Sequence, residues 1–298
     1  MNANDAHDAQ LELFRTTPSH AAPRDAQDLM AYPFFALGKN KRSQPIDFQA
    51  GGITIRVEGT VEHGIATIWD ADILIWAASQ IVEARDTGFR TSRLIAATPF
   101  EILAFIRRGR SVRDYLRLKA ALDRLQSTSI ATSIRQSEGR RLQRFSWVNE
   151  WRERIDRHGR SLGIELILPE WFYEGILDAS LVLTIDPKYF TLTGGIERWL
   201  YRVVRKHGGH QASGWSFDFA YLYLKSGSAA RYADFAIDVR RIARHQSLPG
   251  YRLSVTRLRS GDEILSFRTA DSAVSSHLRF TCNATPMKTN NEKPEHNL

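Results

Sequence analysis

Residues 98–148 read TPFEILAFIRRGRSVRDYLRLKAALDRLQSTSIATSIRQSEGRRLQRFSWV, and the order of elements encoded there decides the fold. Thr98-Pro99, with Glu101 three residues after the threonine, is a capped helix start with proline at the first position. That helix stops at Gly109. Ser111 caps another, reaching about Gln126, in which Tyr115, Leu118, Leu122 and Leu125 recur at helical spacing as a core stripe. A β-branched strand over residues 128–134, a polar turn at Ser137-Glu138-Gly139 and a strand over 140–148 follow.

Upstream, Asp70 is placed to cap a helix running to about Asp86 and ending near Gly88. Before it stands a hairpin in which Ile53, Ile55 and Val57 alternate and residues 65–69 return. Three helices followed by strand, tight turn and strand is the winged-helix order, a helix-turn-helix with a hairpin appended. A strand at 164–168 and a helix begun by Pro169 complete or bridge this unit. Downstream the order recurs: a strand at 181–185, helices at about 195–207, 216–225 and 228–245, then strands at 251–257 and 264–268 about Ser260-Gly261-Asp262. The expectation is an α+β chain of two tandem winged-helix domains, residues 32–180 and 181–269. A flexible arm (1–31, with Pro18 and Pro23) precedes them, and a polar tail (270–298) follows.

With 298 residues, 43% hydrophobic and 10% aromatic, the chain can bury sizeable cores, and its net charge of +8 favours a polyanionic partner, nucleic acid or an anionic membrane surface. The single cysteine, Cys282, excludes an intrachain disulfide and a cysteine-based zinc site. The most apolar stretch, residues 73–78, is far too short to span a bilayer, and the first 24 residues lack a signal-type apolar core, so the expected location is cytoplasmic.

The charge is concentrated. Residues 107–160 hold fifteen Lys or Arg against six Asp or Glu, a local net of +9 that exceeds the total for the chain. On the third helix of the first unit, the face opposite the core stripe carries Arg113, Arg117, Ala120 and Arg124. Long donors flanking one small residue suit close approach to phosphates and guanine edges. A merely solvated basic face has the same composition, but this helix occupies the recognition position and precedes a hairpin bearing Arg135, Arg140, Arg141 and Arg144. In the second unit the helix at 228–245 turns Tyr232, Phe235, Val239 and Ile242 inward. It shows Arg231, Arg240, Arg241 and Arg244 outward, and Arg257 and Arg259 ride on the next hairpin. Asp234 and Asp238 dilute that face.

No catalytic constellation stands out, and no metal ligand set or cofactor motif is expected. Tyr221 and Lys225 have the spacing of a nicking tyrosine and its helper lysine, but such a nucleophile also needs a metal held by paired histidines. The nearest pair, His207 and His210, flanks Gly208-Gly209, so Tyr221 reads as core packing with Phe217 and Leu224. No P-loop spacing occurs.

Several stretches resemble the replication initiator protein A family of broad-host-range and proteobacterial plasmids. They are Tyr32-Pro33-Phe34-Phe35, Ile68-Trp69-Asp70-Ala71-Asp72 with Leu74-Ile75-Trp76-Ala77-Ala78, and Ala121-Leu122-Asp123-Arg124-Leu125 with Gln126-Ser127-Thr128. Phe145-Ser146-Trp147, Leu166-Ile167-Leu168-Pro169 and Glu197-Arg198-Trp199-Leu200-Tyr201 complete the set. The chain also looks more distantly like the iteron-binding initiators, with Arg198 and Tyr201 where their second unit opens. The resemblance covers residues 32–269. It implies tandem winged helices, double-stranded DNA with repeated origin sequences as the partner, recruitment of a host initiator and replicative helicase, and no enzymatic activity; a homodimer is a separate option that the sequence leaves open. A transcriptional regulator of the same fold, a nicking initiator and an adaptor for an acidic protein are the alternatives.

Overall fold

The computed structural model describes residues 12–16, 21–136, 142–158, 160–209 and 214–270. The expected tail, Cys282, His210 and the Ser137-Glu138-Gly139 turn with Arg140 and Arg141 therefore lie outside the described residues. The chain opens with β1 (Phe14–Arg15), β2 (Arg24–Ala26) and α1 (Gln27–Ala31), then a hairpin of β3 (Ile46–Ala50) and β4 (Ile53–Glu58). Next come α2 (Ala71–Asp86), β5 (Leu94–Ala97), α3 (Pro99–Phe105) and α4 (Val112–Ser127). The strands β6 (Ser129–Thr132), β7 (Gln143–Ser146), β8 (Glu150–Ile155) and β9 (Ser161–Ile167) lead to α5 (Glu170–Leu177) and β10 (Val182–Thr184). The second half is α6 (Gly195–Gly208), β11 (Trp215–Asp218), α7 (Phe219–Ser226), α8 (Tyr232–His245), β12 (Tyr251–Arg257) and β13 (Glu263–Thr269).

Both halves are winged helices, and their sheets prove the duplication better than their residues do. In the first, the lone strand β5 pairs with β9, which pairs with β8; in the second, β11 pairs with β13, which pairs with β12, all antiparallel. Each lone strand sits between the first and second helices of its unit. Its last residue, or the next, caps the second helix: Thr98 accepts from the Glu101 amide and Asp218 from the Tyr221 amide. The sequence reading had no strand at either place and began the α7 helix at Ser216.

The wing of the first unit is also not where the sequence placed it. The hairpin of β6 and β7 joins β3 and β4 in a separate sheet, ordered β3-β4-β6-β7, and the wing is β8–β9. The reason is burial. Ile130, Ala131 and Thr132 are all buried, as an interior strand covered on both sides requires, whereas β8 (EWRERI) has a wet face suited to a wing. Asp70 differs as well: its backbone is helical and its carboxylate accepts from Thr67 and Arg124 instead of capping α2.

The two units share one connected apolar core. An aromatic cluster of Phe34, Phe35, Phe145, Trp147, Trp171 and Phe172 fills the first unit, with Trp147 wholly buried. The expected arm ends well before residue 31: β2 pairs with β10, and Asp25, Leu29 and Met30 are buried against α2 and α6. Two arginines one turn apart on α6 reach across the seam. Arg198 donates to Asp72 at 2.7 Å and to the carbonyls of Leu192 and Phe190. Arg202 grips both oxygens of Asp25 at 2.7 and 3.0 Å. Burial raises both carboxyls above their usual range, and their arginines offset only part of that rise. Among the described residues, no helix is long and apolar enough to cross a membrane.

Breaking one of these pairs strands a charge where water does not reach. Arg202→Met is expected to destabilise the chain by about 3–5 kcal/mol in urea titrations, and Asp25→Leu with Arg202→Met should recover most of that loss. A single variant within ~0.5 kcal/mol of the wild type would show that the pair does not hold the units together.

Candidate nucleic-acid interface

α4 begins at a capping box in which the Ser111 hydroxyl accepts from the Asp114 amide and the Asp114 carboxylate accepts from the Ser111 amide at 3.1 Å. The helix buries Leu118, Ala121, Leu122 and Leu125 and turns Arg113, Leu116, Arg117 and Ala120 to solvent. Arg113 has no ion-pair partner among the described residues, and Arg117 is 63% exposed, touching Asp114 only at 3.4 Å.

Arg124 is different. It lies on the expected face, but its guanidinium makes two 2.7 Å bonds to Asp70, which hold it well on the charged side and tie α4 to the start of α2. It is a structural anchor and leaves the candidate face. Arg135 leaves it too. Its backbone is left-handed (φ 58°), its side chain is 24% exposed, it pairs with Asp28 at 3.1 Å, and it stacks 3.8 Å above the Trp171 ring. Burial lowers its pKa from the ordinary arginine value. Arg144 is exposed but rides on β7, in the sheet that is not the wing. The wing proper brings Arg157, His158 and Arg160 to its tip, all exposed, while Arg152 and Arg154 fold back onto the buried Glu165. Arg157 and Arg160 are among the basic residues of the stretch 107–160, without being singled out there, and His158 is not counted among them. The signal lay in the wet alternation of β8.

In the second unit α8 buries Phe235, Ala236, Val239, Ile242 and Ala243. Tyr232 is 44% exposed, contrary to its expected inward place, and packs edge-on against Tyr223. Arg240 binds Glu263 through two bonds of 2.8 and 2.6 Å, stitching α8 to β13. Arg231 and Arg241 make local pairs with Asp234 and Asp238 while staying exposed. Arg244 is exposed with no ion-pair partner among the described residues. On the second wing Arg257 and Arg259 are exposed, Arg257 bonding the Gly261 carbonyl at 3.3 Å. Arg252 and Arg268 stand opposite each other across the strands, also exposed. Each third helix therefore keeps an outward basic face, and each wing a basic tip.

Tyr221 is half-buried with its ring 5.7 Å from Phe217, and Lys225, almost fully buried, approaches its hydroxyl at 3.5 Å. Leu224, expected beside it in the core, is 46% exposed. His207 is packed against Trp215 and Phe217, and burial pushes its pKa down to about 3, so the ring is neutral near pH 7. No group of three His, Cys, Asp or Glu able to hold a metal occurs among the described residues.

Residues 24–253 match the family model of replication initiator protein A. A curated protein of Wigglesworthia glossinidia brevipalpis, named as a replication protein, is 32% identical over 228 residues, which is 75% of this chain and 82% of that one. Two crystal structures of domains 2 and 3 of RctB are similar in fold. One has a TM-score of 0.61 at 16% identity, covering 85% of this chain and 99% of the other. The second gives 0.54, also at 16% identity, over 82% and 97%.

The division between anchoring and outward arginines makes a stability prediction. Arg124→Ala and Arg135→Ala should each lower unfolding free energy by about 1–3 kcal/mol, since Asp70 loses two charged hydrogen bonds and Asp28 its ion pair. Arg113→Ala should stay within ~0.5 kcal/mol of the wild type. Equal losses in all three by thermal unfolding would erase the distinction.

Proposed function

The chain belongs to the replication initiator protein A family, and from that premise we propose that this initiator binds repeated origin sequences in double-stranded DNA with its two third helices. In this reading α4 and α8 enter consecutive major grooves, and the tips of β8–β9 and β12–β13 grip flanking phosphates. Melting and helicase loading follow through a host initiator and replicative helicase that it recruits, and the chain itself breaks no bond.

One observation carries this reading. In two units that share the winged-helix order, arginines buried in the cores and seams are tied to carboxylates, while the third helix and wing of each keep their arginines exposed, some of them, such as Arg117 and Arg241, in local pairs. For α4 these are Arg113 and Arg117; for α8 they are Arg241 and Arg244. Arg157 and Arg160 do the same for the first wing, Arg257 and Arg259 for the second. The exposed aliphatic residues Leu116 and Ile237 on these faces suit contact with thymine methyl groups.

Duplexes selected from a random pool by the full chain provide the test. Affinity for them should fall ~10³–10⁵-fold between 50 and 200 mM salt, as expected when six to ten phosphates are neutralised. Arg113→Ala and Arg244→Ala should each cost roughly 1–3 kcal/mol of binding. A nearly flat salt dependence would favour a protein partner for the basic faces. The contact between Lys225 and Tyr221 is where a nicking reading would start. On our account Tyr221→Phe leaves plasmid maintenance near normal, and supercoiled origin DNA stays intact with magnesium or manganese. Lost replication with intact origin binding would establish catalysis instead.

A further inference from the structure

Residues 38–44, GKNKRSQ, lie between the faces of α4 and α8. On one side of this segment a cleft of about 690 Å³ is walled by Lys39 and Lys41 and by Arg117, Ala120 and Arg124 of α4. On the other side a cleft of about 960 Å³ is walled by Lys41 and Arg42 and by Asp238, Arg241 and His245 of α8. Asn40 and Lys41 line both, so the segment is the partition between the grooves over the two third helices.

The segment is held in place from both units. The Ile65 amide donates to the Arg42 carbonyl at 2.9 Å, and the Lys41 ammonium donates to the Val61 carbonyl at 2.9 Å. Gly64, with φ +73°, lies so close that a Cβ there would meet the Lys41 side chain at 2.5 Å. On the other side Arg42 reaches the carbonyl of Gly227, the left-handed turn residue between α7 and α8, at 2.5 Å. Contacts to both units thus hold the segment in this position.

Two lysines of the segment keep their charge uncompensated, although the Lys41 ammonium also donates to a backbone carbonyl. Lys39 and Lys41 are exposed, Lys39 lies 5.6 Å from the Trp69 ring centre, and neither has a carboxylate partner among the described residues. Of the acids nearby, Asp114 holds the Ser111 cap and Arg117, Asp238 holds Arg241, and the Glu62 carboxylate is turned out to solvent. Basic helix, basic loop and basic helix therefore follow one another across one surface. That continuity fits an extended polyanion better than a small anion, which would need converging donors in an enclosed site.

We infer that residues 38–44 form a third DNA-binding element, seated on the phosphates between the two grooves, with Lys39 and Lys41 supplying the charge. The inference rests on the reading of α4 and α8 as DNA-facing. It makes the seam between the units part of the interface and not a bystander, so that a duplex is gripped through its middle as well as at its two recognised grooves.

The test uses the full chain and duplexes selected by the wild type. Lys39→Gln with Lys41→Gln keeps a donor for the Val61 carbonyl while removing both charges. It should weaken binding about tenfold near 150 mM salt, with the preferred sequence unchanged, and should lower the salt slope by about 1.8. Lys39→Ala, which breaks no hydrogen bond seen here, should lower the slope by about 0.9. Methylphosphonates placed between the two footprints should weaken the wild type and leave the double variant unaffected. Unchanged affinity and slope in both folded variants, while Arg113→Ala weakens binding, would overturn the third element and leave the helix reading standing. A wild type that selects no duplex would overturn the helix reading itself.

Discussion

The structure depends on two buried ion pairs, Arg198 with Asp72 and Arg202 with Asp25. All four side chains are essentially sealed from water. Such pairs contribute little net stability compared with apolar packing, but they are intolerant of misplacement, because either partner alone is a buried unpaired charge. Asp72 is on the first helix of the first unit, Asp25 on β2, and both arginines are on the first helix of the second unit. Sliding one unit over the other would expose four ions to apolar surroundings. The relative position of the units is thereby specified. Asp72 also receives Arg108 at 3.0 Å, which carries the constraint on to the turn between α3 and α4.

Close backbone approaches reinforce the same seam. A Cβ on Gly195 would lie 1.8 Å from the Leu37 carbonyl, and one on Gly227 would lie 2.8 Å from both Ile46 and Pro33. The start of α6 and the turn before α8 are therefore pressed against the first unit. Two helix-turn-helix motifs on a flexible tether lose entropy when they bind together, and a packed, ion-paired seam lowers that loss. The expected units at residues 32–180 and 181–269 thus meet across one connected apolar core.

How legible this was depended on how local each signal was. Caps are local: Thr98 with Glu101, and Ser111, cap helices as the sequence indicates, whereas the expected Asp70 cap gives way to bonds with Thr67 and Arg124. Four-residue strands such as LIAA and WSFD are defined by what they pair with, seventy and fifty residues downstream, so no periodicity marked them. The wing was misplaced because an apolar β-branched hairpin looks more like a strand pair than EWRERI does, although wings are wet. Arginine faces proved half legible. Helical phase correctly turned Arg113 and Arg117 outward, but phase carries no information on Asp70 or Asp28, whose carboxylates claim Arg124 and Arg135 from distant parts of the chain. The resemblance motifs around Asp72 and Arg198 meet in a single ion pair, which neither stretch reveals alone.

The central claim is that a fixed seam presents both third helices to one duplex at one spacing. Hydroxyl-radical footprinting of the full chain on its selected duplex tests this directly. The account predicts two groups of protected sugars on one face of the helix, about one helical turn or 10 base pairs apart, with the spacing invariant among selected sequences. A single protected group, or two whose separation varies from sequence to sequence, would contradict it.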